Sequence, residues 1–448
     1  MTQDSTSARP SPPSSPRLSV LARLLTRLAP IEPRETPAVV AAFCLFFCFW
    51  AGYFAVRPVR ETVGTLLGRE IVADLWVVTW VASLAIVPLY GVIVARVRRS
   101  IFLPCTYGFV GLVLMLIALA LRGDEMNLQV GRFFYVFISV LNLFLISMFW
   151  SFLLELFDSG QAKRLFGVIA AGGTAGALVG PLVADLSVSH IGNSGVLFLG
   201  GGLFFAAIVA QRVLLKIWHE RPPAQGVASR SERPIGGNPF AGFTLVLRSP
   251  YLLGIALFVV LLATVNTLLY FEQLRLVQEA FSDTVERTRI FARLDWVVQS
   301  LTILSQIFLT GRIAKRFGVT ALVTVVPVAM IFGFLALAAS GTFAVLAFVF
   351  VLRRACEYAF VRPGREMLYS PLDNETRYKA KNVNDVPVYR GADALAAQVN
   401  NGIVAAGFGA VAVALLGAVV AAAWVAVGWW LGRRFESGAI NARAEASR

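Results

Sequence analysis

The stretch FAVRPVRETVGTLL, Phe54–Leu67, places Arg57, Arg60 and Glu61 inside a segment that is otherwise apolar. A nearly identical phrase, FVRPGREMLYSPL, recurs at Phe360–Leu372 with Arg362, Arg365 and Glu366. A guanidinium offers a planar fork of N–H donors that matches the oxygens of a phosphate or carboxylate. The same group at the centre of a membrane helix costs ~3 kcal/mol on insertion scales, so it must be paired, face water or hold a ligand. In each phrase a Glu lies four residues after the first Arg, Arg57 to Glu61 and Arg362 to Glu366. That spacing allows neutralisation along one helix face. It leaves Arg60 and Arg365 over, so each phrase is expected to present a net positive edge.

The elements that must carry these charges are membrane helices. The chain is 57% hydrophobic and only 15% charged, with a mean hydropathy of +0.72. Long apolar runs with few charges are the signature of helices that cross a bilayer. No charged segment followed by a short apolar stretch and a small-residue cleavage site opens the chain, so a cleaved signal peptide is not expected. The net charge of +14 is read as the Lys and Arg that membrane proteins collect in cytoplasmic loops. Four cysteines, Cys44, Cys48, Cys105 and Cys356, and two histidines, His190 and His219, have no metal-ligand spacing. No metal site and no cofactor are expected. No P-loop and no nucleophile–base pair appears, so an enzyme or an ATP-driven pump is not expected either.

Spans fall near 38–67, 71–95, 101–121, 131–157, 165–187 and 194–217, then near 248–271, 288–311, 318–339, 342–371, 388–408 and 410–432. This is an all-α membrane protein of about twelve spans, each able to cross a hydrocarbon core of about 30 Å. The organisation expected is a cytoplasmic tail over 1–36, a six-helix half over 37–217, a polar linker over 218–247, a second half over 248–434 and a tail over 435–448. In the first tail Leu18, Leu21, Leu25 and Leu28 share a helical face apart from Arg17, Arg23 and Arg27, as in a helix lying on a membrane surface. With both termini cytoplasmic, one set of loops holds Arg96, Arg98, Arg99, Lys163, Arg164, Arg221, Arg230, Arg233, Arg312, Lys315, Arg316, Arg377, Lys379, Lys381, Arg433 and Arg434. The other set holds fewer, among them Arg69, Arg122, Arg275, Arg287 and Arg289. VIVARVRRS after the second span echoes GRIAKRFG after the eighth, a six-span offset. Two parallel halves related about the membrane normal describe the major facilitator architecture. In the fifth span Gly172, Gly176 and Gly180 recur every fourth residue before Pro181, a spacing that favours close helix packing.

In that architecture spans one, four, seven and ten line a central cavity. They carry both arginine phrases together with Asn142, Glu155, Asn266, Glu272 and Glu357. Trp50 and Tyr53 precede Arg57 by one to two turns and are placed to stack on a base or sugar. Glu61, Glu155, Glu272, Asp295, Glu357 and Glu366 are candidates for gating or ion coupling. Gln299, Gln398, Asn400 and Asn401 are further polar positions suited to packing or interhelical bonding. Arg57 and Arg362 each lie about twenty residues into their spans, nearly 30 Å from the start at the α-helical rise. Opposite ends of the cavity, and so two gates, are therefore open as a reading beside two jaws on one anion.

The same stretches resemble the ATP/ADP antiporter family, the nucleotide transporters of plastids and intracellular bacteria. YFAVRPVRETVGT is similar to that family's first-span motif, with Arg60 where the family has a functional Lys. FWSFLLELFDSGQAKRLFGVIAAGG is similar to its fourth-to-fifth span region, and GREMLYSPLDNETRYKAKNVNDV to its tenth-to-eleventh span signature. There Arg365-Glu366-Met367 stands for Lys-Glu-Met. Two acidic positions of the family fall near Ile138 and Leu269 and are not acidic here; Asn142 and Glu272 are the nearest polar substitutes. The resemblance implies a major facilitator fold and a nucleotide-like substrate. The expectation is an alternating-access secondary transporter for an organic anion in a bacterial inner membrane. Its partners are the lipid bilayer and a small anion, without nucleic acid, and a monomer suffices. Two alternatives stay open: a proton-coupled carrier of a neutral or lipophilic compound using Glu155, Glu357 or Asp295, and a non-transporting scaffold or receptor.

Overall fold

The computed structural model describes residues 32, 34–96, 99–122, 127–219 and 241–437. The expected surface helix around Leu18–Leu28, most of the central linker and the last residues of the C-terminal tail lie outside the described residues. The first half comprises α1 (Thr36–Leu67), α2 (Arg69–Arg96), α3 (Arg99–Ala120), α4 (Leu128–Leu156) and α5 (Ser159–His219). The second comprises a short α6 (Ala241–Arg248), α7 (Pro250–Ala280), α8 (Thr284–Ser305), α9 (Gly311–Ser340), α10 (Phe343–Cys356), α11 (Arg362–Leu368), α12 (Asn374–Val383), α13 (Tyr389–Ala405) and α14 (Ala410–Glu436). The stretch 241–247, expected as linker, is therefore helical: α6 packs against α12, with Gly242 set close to the Lys379 carbonyl.

Several of these rods are composite. At 61 residues α5 would be about 90 Å long if straight, far more than a bilayer. It bends at Gly192, whose φ of 68° is a left-handed conformation that glycine adopts without a Cβ clash. α9 bends in the same way at Gly318, with φ 74°. Single π-helical turns join α8 to α9 (Gln306–Thr310), α10 to α11 (Glu357–Val361) and α12 to α13 (Asn384–Val388). Such turns shift the helix register and recur at functional sites.

Among the described residues, seven helices are long and apolar enough to cross a membrane by length and composition. α8, α10 and α13 are not among them. Charged residues from Arg287 to Asp295 lower the hydropathy of α8, whereas α10, at 14 residues, and α13, at 17, are cut short by the π turns beside them. One apolar core is centred in the first half and reaches Phe271 and Phe291 of the second, and another lies within the second half. Phe49, Phe134, Phe149, Phe152 and Phe204 are fully buried in the first, and Phe258, Val361 and Trp424 in the second.

The small-residue spacing in α5 does what its pattern implies. A Cβ added at Gly172 would stand 2.5 Å from the Phe43 carbonyl oxygen, at Gly176 2.4 Å from that of Phe47, and at Gly180 2.5 Å from that of Ala51. The glycines climb α1 one turn at a time, so the two backbones touch. Gly176→Val therefore pushes α1 and α5 apart, and we expect a markedly lower melting temperature with loss of monodispersity in detergent. Gly167→Ala, where a Cβ meets open space, leaves both unchanged.

Candidate functional site: an arginine-lined cavity

A cavity of about 800 Å³ lies between the halves. Both arginine phrases line it: Arg57 and Arg60 from α1, Arg362 and Arg365 from α11. Both clusters therefore face one cavity. Trp50, Tyr53, Asn266, Gln299 and Glu357 line it as well. Its wall draws on α2, α5, α8 and α13 in addition to the spans expected, through Trp76, Gly173, Thr302 and Asp393.

Three more arginines stand on the same wall, Arg353, Arg354 and Arg390, with Asp385 and Asp393. Sequence reasoning missed them, although VLRRACEY and DVPVYRGAD already set these charges within apolar runs.

The pairing differs from the one expected. Arg57 does reach Glu61, at 3.6 Å. Arg60 is not left over: its Nη2 donates to Glu61 Oε1 at 2.5 Å and its Nη1 to Ser139 Oγ at 3.1 Å. In the second phrase Arg362 pairs with Glu357, just over one turn before it, at 3.8 Å, rather than with Glu366. Glu366 binds Lys381 near the surface instead. Arg365 pairs with Asp385 at 3.0 Å. The π turn at Glu357–Val361 sits between Glu357 and Arg362, so simple four-residue periodicity does not hold there.

Two buried carboxylates organise the wall. Asp295 on α8 accepts from Arg57 Nη1 at 3.4 Å and from Arg354 Nη1 at 2.5 Å, tying α1 to α10. Glu61 accepts from Tyr270 Oη of α7 at 2.7 Å. Tyr270 Oη lies 2.6 Å from Tyr135 Oη of α4, which accepts from Trp76 Nε1 of α2 at 2.8 Å. With Tyr270 donating to Glu61, the chain of bonds runs from Trp76 through both tyrosines to the carboxylate. It crosses from one half to the other along the cavity wall, which Trp76, Tyr135 and Tyr270 line.

More bonds join the halves. Thr62 and Thr288 hydroxyls are 2.6 Å apart, and Arg287 donates to Thr65 at 3.0 Å. Asp185 of α5 pairs with Arg289 and Arg293 of α8 and accepts from Trp296. The halves are closed around Leu67. The cavity extends from Arg60 back past Phe46 towards the Thr36 end of α1, and the Arg362 side chain on its wall is 54% exposed.

The remaining expected residues lie elsewhere. Glu272 binds Arg275 at 2.5 Å and is off the cavity wall. Glu155 is exposed and also off it. Gln398 donates to Asp74 across the α13–α2 contact, while Asn400 is buried and Asn401 half-buried away from the cavity. The Asn142 side chain lies outside the described residues. Among the described residues no cluster of His, Cys, Asp and Glu could hold a metal ion.

Removing one partner from a buried ion pair costs about 3–5 kcal/mol because the remaining charges stay buried. Asp295→Asn, which strands Arg57 and Arg354, is expected to lower thermal stability in detergent by that order. Glu155→Gln is expected to leave it unchanged.

Known proteins share this fold. Residues 39–364 match the Major Facilitator Superfamily. The ADP,ATP carrier protein 1 of Chlamydia trachomatis is 23% identical in an alignment 436 positions long that covers 82% of this chain and 82% of the carrier. The namesake carrier of Chlamydia muridarum matches to the same extent. Among solved structures, a point mutant of the nucleoside transporter NupG superposes with a TM-score of 0.63 at 14% identity, covering 89% of this chain and 99% of its own. A bacterial homologue of the lysosomal transporter Spinster, inward-facing and unoccupied, gives 0.57 at 14% identity over 91% and 98%. At these identities the solved structures speak for the fold, and the matched span, most of the chain, settles the family: this protein is a member of the Major Facilitator Superfamily.

Proposed function

We propose that this chain is a secondary carrier of an organic anion, nucleotide-like first, that works by alternating access of one cavity between two rocking halves. The observation that carries the reading is the cavity itself, with seven arginines on its wall and closure at one end by bonds between the halves. Arg60, Arg353 and Arg365 each keep a buried Nε–H without a hydrogen-bond partner among the described residues. Buried donors of this kind are normally satisfied, and an anion's oxygens would satisfy them. Trp50 and Tyr53 stand on the same wall and supply flat apolar faces for a base or sugar. The ADP,ATP carrier name of the chlamydial relatives fits a nucleotide-like ligand.

The setting follows the same reading. The helical rods, divided at Gly192 and Gly318, act as about twelve spans in two halves, over 37–217 and 248–434. Both termini are cytoplasmic, by the loop charges, so the cavity is caught open to the cytoplasm of a bacterial inner membrane. A single chain holds the whole cavity, and a monomer suffices. The neutral-compound alternative is weakened, because Glu357 and Asp295 stand against arginines and Glu155 is outside the cavity. A scaffold needs no such cavity.

A thermal-shift screen of purified protein against nucleotides, sugar phosphates, carboxylates and neutral nucleosides tests this. At a ligand concentration of about 100 Kd, stabilisation is about 2.7 kcal/mol. Phosphorylated ligands are expected to raise the melting temperature, neutral nucleosides to do nothing, and Arg60→Gln plus Arg365→Gln to abolish the shift. If no anion stabilises the protein, the proposal fails.

A further inference from the structure

We infer that the cavity is matched to the charge of one phosphate monoester, a dianion, in preference to di- or triphosphates. The inference rests on the organic-anion reading above and narrows it. Among the described residues, seven guanidinium groups line the cavity. The carboxylates that answer them are Glu357, Asp385 and Asp393 on the wall, with Glu61 and Asp295 paired into it from behind. With all five carboxylates ionised, seven cations against five anions leave a surplus of two positive charges.

The weakest ion pairs show where the surplus resides. Arg57, Arg60, Arg353, Arg354 and Arg365 all have a carboxylate oxygen within 3.6 Å. Arg362 is 3.8 Å from Glu357, an acid that Arg353 already holds at 2.7 Å. Arg390 is 4.0 Å from Asp393, whose other oxygen accepts from Thr267. Arg362 and Arg390 therefore share their acids or hold them loosely, and both face the cavity.

A phosphate monoester carries a charge of about −1.5 to −2 at neutral pH. While the cavity is open, water tolerates an imbalance of charge. Alternating access requires a state in which the cavity is shut from both sides, and there an unpaired charge is costly. A bound dianion brings the total close to zero. A triphosphate overshoots and leaves surplus negative charge in the shut cavity. The spare Nε–H donors of Arg60, Arg353 and Arg365 add positions for the phosphate oxygens without altering this count.

The test compares adenosine mono-, di- and triphosphate, glucose 6-phosphate and inorganic phosphate by binding to purified full-length protein without added magnesium. In the native sequence the monophosphate is expected to bind at least about tenfold more tightly than the triphosphate, a difference of about 1.4 kcal/mol. Adenosine monophosphate against glucose 6-phosphate and inorganic phosphate separates nucleotide, sugar-phosphate and free-phosphate sources of the same dianion. Asp393→Asn adds one positive charge to the balance and keeps the side chain's shape. It is expected to move the monophosphate-to-triphosphate ratio towards the triphosphate. Arg362→Gln removes one positive charge and is expected to move the ratio the other way. A variant that fails to fold shows no ligand-dependent melting, and the other then carries the comparison. Triphosphate binding tighter than monophosphate in the native protein, or a ratio that neither substitution moves, overturns the inference while leaving the anion reading intact. Absence of binding by every phosphate compound overturns both.

Discussion

A guanidinium group inside a hydrocarbon slab cannot be left without a partner, and the interior of this protein is arranged around that constraint. Asp295 holds Arg57 and Arg354 together, and Glu61 holds Arg57 and Arg60. These two carboxylates come from α8 and α1, so satisfying the charges also fixes which helices meet. The glycine ladder between α5 and α1 serves the same end by packing: it seats α1 against its neighbour so that Arg57 and Arg60 face inward. The two apolar cores hold the rods, and the charges decide what lies between them.

Binding and gating are separable readings of the sequence, and the geometry brings them onto one set of bonds. Glu61 accepts from Arg60 of one half and from Tyr270 of the other, and both of these line the cavity. An anion that takes donors from Arg60 competes with Glu61, and Glu61 is the carboxylate on which the tyrosine chain ends. Arg60 takes Oε1 and Tyr270 takes Oε2, so both bonds draw on the one Glu61 carboxylate. A ligand shifts a two-state equilibrium only through a difference in affinity for the two states, and this shared carboxylate supplies a physical source for such a difference.

Much of this was legible in the sequence because membranes simplify the reading. Apolar length gave the helices, the recurrence of Gly172, Gly176 and Gly180 gave a close helix contact whose partner, α1, only the structure names, and the cost of buried charge marked Arg57, Arg60, Arg362 and Arg365 as residues with a task. Three things escaped. Pairing along a helix face assumed regular α-geometry, and the π turn at Glu357–Val361 broke it, handing Arg362 to Glu357 and Glu366 to Lys381. Glu272 and Glu155 share spans with cavity residues but face away from the wall, a matter of helix rotation that spacing alone does not set. The partners of Asp295 and Glu61 come from helices hundreds of residues away, Arg57 against Asp295 and Tyr270 against Glu61, and no local pattern announces such contacts.

The claim at the centre of this account is that the cavity moves an anion, recognised by its charge, from one side of the membrane to the other. The most direct measurement is uptake of a radiolabelled nucleoside phosphate by proteoliposomes containing the purified protein, with unlabelled competitors. The account predicts saturable uptake that unlabelled phosphorylated compounds suppress and neutral nucleosides do not. Uptake of a neutral nucleoside at the same rate as its phosphate, or suppression of phosphate uptake by the neutral compound at equal concentration, would contradict it.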